Sequence, residues 1–268
     1  MLARLKWALE PVISRNVHLY HFARTTMRSL RLMLPHEKDY AAMRLFDAAG
    51  GIFLDVGAND GISALSIRLF DRQTPIFSVE ANPHHEPSLA KLKRKLVAFD
   101  YVICAAGEQP STLTLYTPVY RGVPLWSFAS SSKESIVANL RQHLRIRFDL
   151  RRLTFREEQV EVRRLDDLEL PAKVVKIDVE GFELSVLRGL TATTEHMRPV
   201  FMIAYSVDTV SQIRQFFDDR RYVCAVYDDR AGRLRVRETQ EPKNLFFLPP
   251  HQAERLLRAA PGRAPLPA

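Results

Sequence analysis

Two short stretches limit most strongly what this chain can fold into. Residues 52–61 read Ile-Phe-Leu-Asp-Val-Gly-Ala-Asn-Asp-Gly, and residues 174–181 read Val-Val-Lys-Ile-Asp-Val-Glu-Gly. Each is an apolar run of strand length that carries an acid at its end and passes straight into a turn containing glycine. Near-continuous apolar runs suit strands buried on both faces, as in a parallel sheet covered by helices. Glycine permits a tight turn and lets a ligand approach the backbone. In open α/β sheets ligands bind at the carboxyl ends of the strands, where these acids would stand.

Between and after the two stretches, strand and helix patterns alternate. Strands are predicted at Ile52–Val56, Pro75–Glu80, Tyr101–Ala105, Lys173–Ile177, Val200–Tyr205, Tyr222–Val226 and Asn244–Leu248. Helices are predicted at Ile62–Phe70, Glu86–Leu96, Phe182–Leu190 and Thr209–Arg220. This alternation implies right-handed crossover units and a parallel sheet. The middle breaks the rhythm. Thr112–Thr117 and Gln159–Arg164 read as short strands and Lys133–Phe148 as a helix, while residues 118–132 form a loop rich in aromatics and hydroxyls. Loops of that length are usually functional or mobile. Asp228–Gly232 reads as a hairpin turn.

The chain has 268 residues, 46% of them hydrophobic, enough for one large domain with a full core. The expected organisation is an N-terminal helical extension over 1–49, the α/β domain over 50–250, and a C-terminal helix with a frayed tail over 251–268. Cys104 and Cys224 sit in apolar runs and read as buried, unpaired thiols, which favours a reducing compartment. No uncharged apolar run reaches the roughly 18 residues that span a bilayer, and residues 1–20 contain no signal-peptide core, so a cytoplasmic location is expected. The net charge is +8, and residues 1–44 hold eight bases against three acids. Such a segment would attract anionic surfaces, although an arginine-rich solvated face has the same composition.

The first turn is neither the dinucleotide pattern G-x-G-x-x-G nor a phosphate loop. It lacks the basic residue of a diphosphate cradle. A leading acid, Asp55, with Gly57 and Gly61 four apart, suits a cationic nucleoside without phosphates, and S-adenosylmethionine is such a ligand. Glu80 ends the next strand 19 positions beyond Gly61, the usual place of a ribose-hydroxyl acceptor. The turn Ala81-Asn82-Pro83 would flank the base. The adjacent pair His84-His85 has no metal-ligand spacing, so no metal site is expected.

These blocks, together with Leu-Asp-Asp-Leu at 165–168, Lys-Ile-Asp-Val-Glu-Gly-Phe-Glu at 176–183 and Arg-Pro-Val at 198–200, resemble the FkbM family of S-adenosylmethionine-dependent methyltransferases. The resemblance covers about residues 50–205, and Asn-Leu-Phe-Phe-Leu-Pro at 244–249 matches the family's last strand. It implies a Rossmann-like class I methyltransferase sheet, mostly parallel with one antiparallel edge strand. It also implies an O-methyltransferase acting on a hydroxyl of a sugar, a glycan or glycolipid precursor, or a secondary metabolite. On that resemblance Asp55, Gly57, Ala58, Asn59 and Gly61 would hold the methionine end of the cofactor, Glu80 the ribose, and Ala81, Asn82 and Ala105 the adenine. Asp178 and Glu180 would stand between cofactor and acceptor as candidate bases, tuned by Lys176. The three share a parity along the strand and would converge unless the Gly181 turn breaks the register.

One position departs from the family pattern: Ala204 stands where a glutamate usually ends the strand. It keeps open a non-catalytic cofactor-binding scaffold, and another nucleotide-cofactor enzyme is a third reading. The expected partner is a small-molecule or glycan hydroxyl acceptor. No nucleic acid is expected, and the basic N-terminus would favour contact with an anionic membrane surface.

Overall fold

The computed structural model describes residues 35–143, 148–205, 208–236 and 242–258. Along the chain the strands are β1 (Ile52–Val56), β2 (Ile76–Glu80), β3 (Phe99–Ile103), β4 (Ala105–Ala106), β5 (Ser111–Tyr120), β6 (Val123–Pro124), β7 (Leu153–Arg163), β8 (Ala172–Ile177), β9 (Val200–Ala204), β10 (Val223–Asp228), β11 (Arg233–Val236) and β12 (Asn244–Leu248). The α-helices are α1 (Ile62–Arg68), α2 (Glu86–Lys93), α3 (Lys133–His143), α4 (Glu183–Arg188), α5 (Thr191–His196), α6 (Val210–Asp218) and α7 (Pro250–Arg258).

Eight strands form the main sheet in the order β11-β10-β12-β9-β8-β1-β2-β3. The run β9-β8-β1-β2-β3 is parallel throughout. From β1 the chain builds outward through β2 to β3, then crosses to β8 and builds the other way. The carboxyl ends of β1 and β8 therefore flank the point where the winding reverses, and a crevice opens there in sheets of this kind.

The antiparallel part differs from the expected single edge strand. β12 pairs antiparallel with both β9 and β10, so it lies inside the sheet. A second antiparallel strand, β11, takes the edge through the hairpin after Asp228. The reason is apolarity: all five residues of β12 are buried, and Phe247 stacks on Phe217 of α6 with centroids 4.0 Å apart. A strand apolar on both faces cannot serve as a solvent-facing edge. The exposed, arginine-bearing β11 can.

Alternate residues of the central strands feed two cores. Phe53, Val174, Met202 and Phe246 enter one, and Leu54, Val175, Phe201 and Phe247 enter the other. The first core also takes Tyr40, Met43, Phe46 and Ala48, all buried. Residues 36–48 are thus part of the domain core, not of an appended extension. Within the helical extension expected over 1–49, residues Lys38–Leu45 form a 3₁₀ helix. The remainder of the expected extension, residues 1–34, lies outside the described residues, as does the tail from 259. At the other end, Ala253 and Leu256 seat α7 on the same core.

The insert between β3 and β8 makes a second, four-stranded sheet in the order β4-β7-β5-β6. β5 and β7 form a ribbon in continuous register from Ser111 opposite Val162 to Tyr120 opposite Leu153. Both strands are longer than their sequence pattern predicts. Between Leu153 and Arg163 the residues Arg156, Glu157, Glu158 and Glu161 mask the alternation, and pairing with β5 holds the strand. Of the predicted loop 118–132, residues 118–120 belong to β5 and Val123–Pro124 form β6. Cys104 is a buried free thiol, and Cys224 is half-buried. Among the described residues, no helix is long and apolar enough to cross a membrane.

Candidate active site

The first glycine turn is shaped by contacts that allow little substitution. Gly57 stands at φ 80, and a Cβ there would fall 1.9 Å from the carbonyl oxygen of Asp178. The turn after β1 therefore presses directly on the end of β8. Gly61 stands at φ 86 where α1 begins, and a Cβ there would meet Leu92 of α2 at 2.1 Å. Between them, Gly57 and Ala58 donate their N–H groups to the Val79 carbonyl, at 2.9 and 3.2 Å. The turn is thus fastened to both neighbouring strands.

A buried charged cluster lies behind it. The Asp55 side chain is fully buried and accepts hydrogen bonds from Ser63 Oγ at 2.6 Å and Ser78 Oγ at 3.0 Å. Its other oxygen lies 3.3 Å from Lys176 Nζ, an ion pair without hydrogen-bond geometry. Lys176 Nζ spends its donors on the Gly57 carbonyl at 2.7 Å and the Val56 carbonyl at 3.3 Å. Asp178 Oδ2 lies 4.0 Å away on the other side. Burial alone would depress the lysine; the charges of Asp55 and Asp178 outweigh it and hold the ammonium above its ordinary value. Lys176 is therefore a fixed cation that ties the end of β8 to the end of β1.

Glu80 is buried at the end of β2. Its Oε2 accepts from the Asn59 N–H at 2.6 Å and its Oε1 from the Asn82 N–H at 2.8 Å. Burial pushes its carboxyl up to about 7, against the pull of those two N–H groups and of Lys176.

A cavity of about 270 Å³ opens at the carboxyl ends of β1, β2 and β8. That is near the ~300 Å³ lower end for small-molecule sites. It is lined by Gly57, Ala58, Asn59, Glu80, Ala81, Asn82, Ala105, Lys176, Asp178 and Glu180, so most of the residues singled out from sequence come together around one space. Asp55 and Gly61 do not line it. Asp55 instead faces Ser63, Ser78 and Lys176 in the interior, and Gly61 faces α2. Lys176 and Asp178 converge as their parity suggested, but Glu180, past the strand end, stands at φ 53 and is exposed. Its Oε2 accepts from Asn139 Nδ2 of α3 at 3.2 Å.

Sequence reasoning missed several wall residues. His36, Cys104, Leu113, Leu115, Trp126, Ser127 and Ser130 also line the cavity. Burial pushes the Cys104 thiol up to about 11, so it is an apolar wall element. The aromatic and hydroxyl content of residues 118–132 was a usable signal for Trp126 and Ser127. Nothing local marks His36, because only the fold brings it to the site. His84 Nε2 lies 2.8 Å from Glu158 Oε1, and among the described residues no cluster of His, Cys, Asp and Glu suits a metal. Ala204 ends β9 opposite Asn244, whose Nδ2 donates to Glu37 at 2.7 Å and Asp39 at 3.1 Å. Two carboxylates from the segment before the sheet therefore stand beside the strand end that lacks its own.

Fold and site together define an α/β protein with a mostly parallel sheet and an acid-lined cavity where its winding reverses. The sequence profile of the methyltransferase FkbM domain matches residues 55–224, and the chain belongs to that family of methyltransferases. Among solved structures, a methyltransferase FkbM from Methylobacillus flagellatus KT aligns at 16% identity and a TM-score of 0.47, over 74% of this chain and 43% of that one. The chain therefore spans less than half of that relative. A precorrin-6y C5,15-methyltransferase from Geobacter metallireducens GS-15 aligns at 12% identity and a TM-score of 0.40, over 78% and 84% of the two chains. Neither likeness is close enough to bear on function. A search of curated proteins returns no match.

Proposed function

We propose that this methyltransferase takes its methyl group from S-adenosylmethionine and transfers it to a hydroxyl of a sugar, a glycan or glycolipid precursor, or a secondary metabolite. The observation that carries the reading is Glu80, a buried strand-end carboxylate on the cavity wall that keeps acceptor capacity beyond its two backbone bonds. A ribose diol offers the two donors that such a group lacks. Family membership supports the reading, and so does the sheet order, which suits a Rossmann-like domain. Gly57 supports it too, since its missing side chain brings the turn after β1 against the end of β8. The cofactor residues would be Gly57, Ala58 and Asn59 toward the methionine end, Glu80 at the ribose, and Ala81, Asn82 and Ala105 at the base, with Leu113 and Leu115 added as apolar wall. Asp55 and Gly61 act one layer behind, shaping the turn.

When bound, the cofactor supplies a methyl group already activated for displacement, so the protein's share is alignment and a route for the proton. Asp178 and Glu180 are the groups to fix the acceptor hydroxyl and take its proton. Lys176, held as a cation, cannot take a proton; its role is to hold Asp178 and the Gly57 carbonyl in place. Contact with an anionic membrane surface through the basic residues before Pro35 belongs to the same proposal.

The test is turnover with candidate hydroxyl acceptors in wild type, Asp178→Asn and Glu180→Gln. Whichever residue acts as base should lose on the order of 100-fold in kcat, with cofactor affinity nearly kept. Near-normal turnover in both variants would leave alignment as the whole mechanism. Wild type that methylates amines or carbon centres but no hydroxyl would contradict the acceptor class.

A further inference from the structure

The Trp126–Ser127 turn belongs to the insert, between β6 and α3, yet both residues line the cavity. Its hydrogen bonds reach the two turns that face the ligand space. Asn82 Nδ2 donates to the Trp126 carbonyl at 3.1 Å, and Ser127 Oγ donates to Asn59 Oδ1 at 3.3 Å. Asn59 and Asn82 are the same two residues whose backbone N–H groups hold the Glu80 oxygens, at 2.6 and 2.8 Å. The bonds therefore close a ring from Ser127 through Asn59, Glu80 and Asn82 to Trp126, whose peptide bond to Ser127 completes it. All five members line the cavity.

The turn is held from outside as well. The His84 ring stacks on Trp126 with centroids 3.7 Å apart and planes 26° apart, and His84 Nε2 lies 2.8 Å from Glu158 Oε1 on β7. The Arg156 guanidinium, also on β7, lies 5.4 Å from the indole centroid. A turn tied at this many points is a fixed part of the wall.

We propose that Ser127 and Trp126 are positioning residues for Glu80, so that the second sheet aims the carboxylate that receives the ribose hydroxyls. This rests on the S-adenosyl reading of the cavity. Each Glu80 oxygen already accepts one N–H, so the direction of its remaining lone pair follows from where Asn59 and Asn82 sit. Asn59 is the weaker support, because it stands at φ 53, a left-handed conformation costly for a residue with a side chain. Its Oδ1 offsets that cost by accepting from the Asp60 N–H at 2.9 Å and from Ser127 Oγ. Without the Ser127 hydroxyl, Asn59 loses its tether to the second sheet and Glu80 loses its aim.

The test is calorimetric titration of wild type, Ser127→Ala and Ser127→Thr with S-adenosylhomocysteine and with its 2′,3′-dideoxy analogue. Wild type should prefer the ligand with the diol. Ser127→Ala should bind that ligand about fivefold more weakly, the worth of one ordinary hydrogen bond, and bind the dideoxy analogue unchanged. Ser127→Thr, which keeps a hydroxyl, should recover most of the loss. An equal loss on both ligands would mean that Ser127 only supports the wall, and no loss on either would mean that the bond is dispensable; both overturn the proposal. Wild type that binds neither ligand would overturn the S-adenosyl reading and this inference with it.

Discussion

Burial lifts the Glu80 carboxyl to about 7, inside the range in which its charge can be set by experiment. A ribose diol donates to a carboxylate better than to the neutral acid, because hydrogen bonds to a charged acceptor are stronger. Affinity for S-adenosylhomocysteine should therefore rise as pH increases from about 6 to about 8, the window set by that pKa. Calorimetry at the two ends of the range checks this, and a flat profile would show that Glu80 keeps one charge state throughout. Stability of the ligand-free protein should run the opposite way. The folded-state pKa lies above the ordinary 4.5, so the group's contribution is complete below that value and is lost as pH rises through about 7. Glu80→Gln removes the titration and leaves an amide N–H₂ facing one of two backbone donors. Its melting temperature should fall below wild type at pH ~5, and the gap should narrow by pH ~8.

Segment 35–48 carries the clearest consequence at the scale of elements. Tyr40 and Met43 are about 1% exposed and belong to the core that contains Phe53 and Phe246. Tyr40→Ala should cost about 3 kcal/mol or more in denaturant unfolding, as for other large buried rings. Removing residues 1–34 should leave cofactor affinity largely intact and weaken binding to anionic vesicles, whereas deletion through residue 48 should abolish folding. Retained cofactor binding after the longer deletion would show that this core does not need the segment. What the sequence displayed here follows from local pattern. β1, β8 and β12 are mostly apolar runs, and their bounds were legible within a residue. Residues 35–48 mix a charged block with a short apolar one and give no sign that the fold buries Tyr40 and Met43 while Glu37 and Asp39 grip Asn244. β7 was half-legible because most of its acids and bases are exposed, and only pairing with β5 makes it a strand. The inner place of β12 depends on tertiary pairing, which periodicity does not encode. The same division holds in the site. Turn residues Gly57 to Gly61 and the strand-end acids carry a local signature, whereas Leu113, Trp126 and Ser127 reach the cavity from an insert, 33 to 47 positions beyond Glu80.

For the whole molecule, two sheets meet at one cavity. The main sheet supplies Glu80, the Gly57 turn and Asp178 from strand ends that its winding brings together, and the second sheet supplies the opposite wall. On the function proposed above, this space holds the adenosyl cofactor with Glu80 on its ribose. Isothermal titration of the full chain with S-adenosylhomocysteine, in wild type and Glu80→Ala, tests it most directly. Wild type should show one site per chain and the variant affinity at least tenfold weaker, since the loss of a charged acceptor for two hydroxyls exceeds about 1.4 kcal/mol. A folded Glu80→Ala protein with wild-type affinity, or a wild-type protein that ignores S-adenosylhomocysteine and binds a nicotinamide dinucleotide or a nucleotide sugar instead, would contradict it.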